Sequence, residues 1–181
     1  MINKNQLIEY FYQGIKLKNK VKIGVEHEKF ILNKDTFLPL SYEEKNGIKT
    51  ILEKFTLKGW KPLYDDNQET IIALKKGKEA ITLEPGGQIE LSGAPLDNIH
   101  ETCEETTNHL RELKKLGNEL NFILLGMGVE PNSGLDDFPW MPKQRYSIMK
   151  KYMMHVGTLG HHMMKRTCTN QVNIDFNSEE D

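Results

Sequence analysis

Cysteine is almost absent from this chain of 181 residues: it occurs only as Cys103 and Cys168. The pair lacks the C-x-x-C spacing of a zinc or redox motif and is too small for a disulfide framework, so each is read as a free, small apolar residue rather than a nucleophile. An excess of one charge is lacking as well. The 24 Lys and Arg face 26 Asp and Glu, a net charge of -2, which excludes a general pull toward nucleic acid or an anionic membrane. No apolar run approaches the roughly 20 residues that cross a bilayer, and the polar opening leads into an amphipathic stretch without the h-region of a secretory signal. A soluble, cytoplasmic protein is expected, with neither membrane nor nucleic acid as partner. There is no G-x-x-x-x-G-K-[ST] loop and no G-x-G-x-x-G opening a helix, so a nucleotide would have to bind through metal and sheet. With no repeat, low-complexity stretch or linker, residues 1–181 are expected to form one domain.

What is present is a mixture of periods. Leu7, Ile8, Phe11, Tyr12 and Ile15 predict a packing helix over 4–17. Residues 21–32 are β-branched and aromatic, predicting a strand with Glu26 and Glu28 on one face and Val25 and His27 on the other. Ser41-Tyr42-Glu43-Glu44 fits a capping box ahead of Ile48, Ile51, Leu52 and Phe55, and Gly59 fits the stop of that helix. Residues 69–74 and 79–84 flank Lys75-Lys76-Gly77-Lys78 as a hairpin, and 88–92 resumes as a strand. A helix from about Asp97, its expected N-cap, to Leu120 places Ile99, Cys103, Leu110, Leu113 and Leu120 in one stripe, with Cys103 toward the core or a partner. Residues 122–129 read as a buried strand, 131–142 as a loop, 144–165 as helix broken at Gly157–Gly160, and 171–176 as an alternating strand. The fold class expected is α+β, an antiparallel sheet with flanking helices.

The chemistry lies in the strands. Glu26 and Glu28, then Glu84, Gln88 and Glu90, then Gln171, Asn173 and Asp175 put acids and amides at i, i+2 spacing, an oxygen-rich surface suited to Mg²⁺. A solvated strand face is the plain alternative. Acids gathered this closely repel one another unless a cation sits among them, however, and Gly86-Gly87 admits a close backbone approach. Arg145, opening a helix beside Tyr146, can grip a carboxylate with two N–H groups. His155, His161 and His162 lack the i, i+4 spacing of helical metal ligands. The Met residues from Met149 to Met164 are read as core filler.

Four ordered blocks carry a resemblance. Ile23-Gly24-Val25-Glu26-His27-Glu28-Lys29-Phe30, the run from Leu83 through Glu84-Pro85-Gly86-Gly87-Gln88-Ile89-Glu90 to Leu96, Met141-Pro142-Lys143-Gln144-Arg145-Tyr146, and the run from Arg166 through Gln171-Val172-Asn173 to Phe176 together resemble the plant and proteobacterial type of glutamate-cysteine ligase. The resemblance implies the N-terminal portion of a longer catalytic domain, part of a glutamine-synthetase-like funnel in which ATP and Mg²⁺ meet glutamate and cysteine. It further implies that Glu26, Glu28, Glu84 and Glu90 are metal ligands, that Arg145 is catalytic by holding a substrate carboxylate, and that Gln88, Tyr146, Gln171 and Asn173 serve substrate or nucleotide. The product implied is γ-glutamylcysteine, formed through a γ-glutamyl phosphate. Two other readings stay open: a related ligase with a different amine acceptor, and a non-catalytic module that acts by associating with another chain, including a copy of itself, through exposed strand edges. A nucleic-acid surface built on Lys143, Arg145, Lys150, Lys151, Lys165 and Arg166 lacks any recognised binding motif.

Overall fold

The computed structural model describes residues 2–66 and 69–181. Its centre is β1 (Ile23–Asn33), an eleven-residue strand long enough to take partners along both edges. On one edge lies β5 (Ile89–Ser92), followed outward by β4 (Glu79–Leu83), β3 (Ile71–Lys76) and β2 (Lys61–Tyr64). On the other edge β7 (Asn170–Ile174) pairs with the first half of β1 and β6 (Phe122–Leu125) with the second half. All of these pairings are antiparallel, as the alternating pattern and the short hairpin connections predict. The β3–β4 turn is the two residues Gly77 and Lys78, with Gly77 at φ +60°, a left-handed geometry that glycine adopts without steric cost.

The two faces of the sheet differ. Residues directly opposite one another in an antiparallel pair share a face, so the register His27↔Leu91, Lys29↔Ile89 and Leu83↔Ile89 defines one side. There Leu74, Ile81, Leu83, Ile89 and Leu91 are wholly buried. The cover consists of α2 (Ile48–Thr56), which buries Ile48, Ile51, Leu52 and Phe55, and α3 (Ile99–Leu120), which buries Leu113, Leu116 and Leu120. On the opposite side the first half of β1 carries Glu26 and Glu28. The second half carries Phe30 and Leu32, which pack with Phe138 and Cys168 in a small separate cluster. The polar surface is thus closed at one end by an apolar plug.

Several local expectations are corrected. The first helix, α1 (Lys4–Tyr12), is shorter than 4–17 and buries none of its residues, so it does not pack into the core. The Ser41 capping box does not form; the N-cap is Gly47, and the Ser41 carbonyl instead accepts from the Ile48 N–H at the end of a wrapped turn. Asn98 rather than Asp97 caps α3, its side chain accepting from His100 and Glu101 N–H. Cys103 is exposed, because the inward stripe of α3 runs through Thr102, His109, Leu113, Leu116 and Leu120. The buried strand expected over 122–129 ends at Leu125, and β2 is an element the periodicity does not predict. The helix break stands where the glycines place it: α4 (Gln144–Val156) and α5 (Gly160–Arg166) flank it.

Candidate active site

The polar face brings together residues that are distant in sequence. Glu28 on β1 stands opposite Glu90 on β5, and Glu26 stands opposite Ser92 on β5 and Gln171 on β7. Glu84, the residue after β4, opens a tight turn in which the Gly87 N–H donates to the Glu84 carbonyl and the Glu84 N–H to the Gln88 carbonyl. Burial, then the charges of Glu90 and Glu28, push the Glu84 carboxyl up to about 7, as expected where desolvation and like charges both disfavour ionisation. Glu90 is 8% exposed, and one of its oxygens accepts from the Ser92 hydroxyl. The carboxylate of Glu28 accepts from both the N–H and the hydroxyl of Thr169, each at 2.9 Å. The Glu26 Oε1 accepts from Asn173 at 3.0 Å, and Asn173 in turn accepts from Gln171 at 2.9 Å.

The donors are all oxygen, which fits a hard divalent cation. Among the described residues no three His, Cys, Asp or Glu side chains converge to hold a metal by themselves. Magnesium does not require that: it commonly binds one or two carboxylates, several waters and substrate phosphates. Glu84, Glu28 and Glu90 form the charged group. Glu26 stands one strand position apart, oriented by the amides of β7.

Cations border this group. Lys143 donates from Nζ to the Leu83 carbonyl at 2.7 Å, and burial pushes its ammonium down to about 8. Arg145 is exposed; its guanidinium lies 4.9 Å from the Tyr146 ring centroid and donates to the Tyr146 hydroxyl at 3.2 Å. Tyr146 itself is 1% exposed, and its hydroxyl donates to the Leu83 carbonyl at 2.5 Å. The expectation that Tyr146 binds substrate is therefore corrected: it braces Arg145 and the end of β4 from within the core.

Gln88 is corrected in the same sense. It is 1% exposed, its Oε1 accepts from the Gly86 N–H at 2.9 Å, and its Nε2 donates to the carbonyls of Met164 at 3.3 Å and Thr167 at 2.8 Å. It ties the α5–β7 junction to the turn after β4 and has no donor left for a ligand. The backbone approach expected at Gly86-Gly87 is seen here: a Cβ on Gly86 would lie 2.5 Å from the Lys165 carbonyl oxygen.

Thr169, Ser92 and Lys143 are not singled out by the strand pattern. Thr169 precedes β7, Ser92 lies at a strand end where a hydroxyl is unremarkable, and only the proximity of Lys143 to Arg145 hints at its place. The three histidines do not form a metal site among the described residues. His161 instead contacts the Lys150 carbonyl at 2.8 Å and meets Trp140 edge-on.

Residues 22–180 match glutamate-cysteine ligase family 2 (GCS2). The chain is 46% identical over 181 residues to chloroplastic glutamate–cysteine ligase A of Oryza sativa subsp. japonica, covering 99% of this chain and 36% of that protein. It is 48% identical over 182 residues to the chloroplastic ligase of Medicago truncatula, with 99% and 35% covered. The ligase of Arabidopsis thaliana is 46% identical over 181 residues, with 99% and 34% covered. The chain thus spans about a third of the length of the curated relatives it matches. The relatives' chloroplastic naming overturns the cytoplasmic expectation, which rested on a missing h-region and so spoke only to secretion; plastid leaders are amphipathic and Ser-rich instead. The family match takes in every strand of the sheet together with Glu26, Glu28, Glu84, Glu90 and Arg145, so the chain belongs to glutamate-cysteine ligase family 2.

Proposed function

We propose that this chain supplies the metal- and glutamate-binding face of an ATP- and Mg²⁺-dependent ligase that joins the side-chain carboxylate of glutamate to the amine of cysteine, giving γ-glutamylcysteine on the way to glutathione. In this reading residues 1–181 act as one unit of a longer catalytic domain, and the polar side of the sheet is a wall of its funnel. The observation that carries the reading is the juxtaposition of Glu28, Glu90 and the half-buried Glu84 on one face, with the exposed guanidinium of Arg145 at its border.

Bound Mg²⁺ would neutralise phosphate charge. Glu84, Glu28 and Glu90 would hold that cation, and Glu26 would lend a further oxygen, kept in place by Asn173 and Gln171. Arg145, held against Tyr146, grips one carboxylate of glutamate through two parallel N–H bonds. The other carboxylate attacks the terminal phosphorus of ATP and ADP leaves. The cysteine amine then attacks the acyl phosphate, the C–N bond forms as the C–O bond to phosphate breaks, and the amine proton is released.

The test is ADP release by the purified chain with ATP, Mg²⁺, glutamate and cysteine, alongside Glu26→Gln, with Mg²⁺ affinity of the chain followed by calorimetry. Cysteine-dependent release that falls in the variant, or Mg²⁺ affinity that falls on Glu84→Gln and Glu90→Gln, is expected. Mg²⁺ affinity unchanged by all three substitutions would refute the metal face.

A further inference from the structure

A second recess lies on the helix side of the sheet, away from the polar face. It is a cleft of about 500 Å³ between α3, the end of α2 and the β3–β4 turn. Five carboxylates border it against two lysines, and one of the five, Glu112, is already paired with Lys58 and Lys115. Two polar atoms at this wall stand without partners among the described residues. His109 is 7% exposed and lines the cleft, and its Nδ1 is buried with no hydrogen-bond partner. Glu105 accepts from the Ala94 N–H at 2.9 Å through Oε1, whereas its Oε2 is buried and unpaired. The carboxylate packs against Gly93, where a Cβ would lie 2.5 Å from Oε2. Buried polar atoms without partners are uncommon and costly in folded proteins, so two at one recess mark a place where a ligand supplies the bonds.

The chemistry of the wall selects that ligand. Glu79, facing Glu105, has its carboxyl pushed up by burial and then by the Glu105 charge, and a cation relieves both. Burial holds the His109 imidazole neutral, and in the tautomer that carries its proton on Nε2 the unpartnered Nδ1 accepts. The aromatic surface is already used in this way, because Lys76 Nζ sits 5.8 Å from the Trp60 ring centroid. We propose that this cleft binds a small organic cation rich in N–H donors, of the guanidinium or polyamine class, through Glu105, Glu79 and His109.

The probe is agmatine, titrated into the full chain by calorimetry and by ¹⁵N resonances of the histidine rings, with neutral butylurea as its uncharged counterpart. Saturable binding of agmatine and not of butylurea is expected, with a shift of the His109 ring nitrogens. The affinity should fall about tenfold in Glu105→Gln, the loss of one charge-assisted hydrogen bond, and should fall also in Glu79→Gln, which keeps the test open if the first variant folds poorly. Glu119→Gln, on the same helix but paired with Lys54 outside the cleft, and Glu26→Gln, on the polar face, should bind as wild type. Equal binding of butylurea, affinity indifferent to both cleft substitutions, a still His109 ring, or a loss on Glu26→Gln would each overturn the proposal.

Discussion

His109 makes the chain acid-labile by an amount that can be worked out in advance. Its ring stacks on Phe55 at 6.2 Å with 17° between planes, and it is 7% exposed on the inner stripe of α3. Burial first, then the charges of His27 and Lys29, push its pKa from 6.5 down to about 4. A folded-state value below the unfolded one means that the fold binds fewer protons, so the stability contributed is complete above the unfolded pKa and is lost as pH falls toward the folded one. A tenfold change in proton affinity is worth about 1.4 kcal/mol, which gives a loss of about 2 kcal/mol by about pH 5 and about 3 kcal/mol by about pH 4. His109→Phe keeps the aromatic volume against Phe55 and removes the titration. Urea unfolding of both proteins, followed by circular dichroism from about pH 8 to about pH 4, should show the wild type losing that amount relative to the variant. His27, lowered by its own burial and by Lys29, titrates in both proteins and largely cancels. A difference between the two that stays constant to within about 0.5 kcal/mol across the range would refute the assignment of a buried neutral imidazole.

Glu84 carries the opposite sign. Its folded-state value of about 7 lies above the ordinary 4.5 of a glutamate, so its contribution is intact below the lower value and is lost as pH rises through the upper one; metal-free Glu84→Gln should gain about 2 to 3 kcal/mol on wild type between about pH 5 and pH 8 in thermal unfolding, and Mg²⁺ should narrow the gap. Gln88→Leu should lower stability by about 2 to 4 kcal/mol in urea, because it leaves the Gly86 N–H and the Met164 and Thr167 carbonyls buried without a side-chain partner. Arg145→Met should weaken glutamate binding at least about tenfold in calorimetry while leaving the urea midpoint close to wild type, since the guanidinium is exposed and the loss of charge-assisted bonds falls on the ligand.

The sheet is legible in the sequence because its strands alternate: β1, β3, β4, β5 and β7 stand within a few residues of where the period places them, and the acids at 26, 28 and 90 and the amides at 171 and 173 share a face as the i, i+2 spacing requires. What the pattern misreads depends on contacts it does not encode. Gln88 has the phase of Glu90 along the strand, yet Gly86 lets the backbone of Lys165 come so close that the Gln88 amide is enclosed and becomes a tie. Tyr146 follows Arg145 in the chain, but on a helix successive side chains diverge, and one points into the core while the other stays in solvent. On α3 the apolar residues alone suggest a stripe through Cys103; Thr102 and His109, polar by type, fix the true phase. β2 contains Pro62 and only four residues, too short and too interrupted for a period to declare itself.

The mutual repulsion of Glu28, Glu84 and Glu90 is sustained by the opposite side of the same strands. Leu83, Ile89 and Leu91, neighbours in sequence to Glu84 and Glu90, are wholly buried beneath α2 and α3, and burying each contributes on the order of 2 kcal/mol. The residues that hold the strands in register are thus interleaved one for one with the residues that repel. Relaxing the carboxylates apart would require β4 or β5 to slip, and a slip of one residue turns every leucine to the polar side and every acid into the core. Glu28 and Glu90 stand on strands, and Glu84, one residue past β4, is pinned by its turn hydrogen bonds with Gly87 and Gln88, so a proton or a further cation relieves what Lys143 and Arg145 leave uncompensated. The raised pKa of Glu84 is the proton answering that constraint, and a divalent ion at the same place would displace it. The lock between core and carboxylates keeps these acids together before any ligand arrives, which is the physical support for the cation site proposed above.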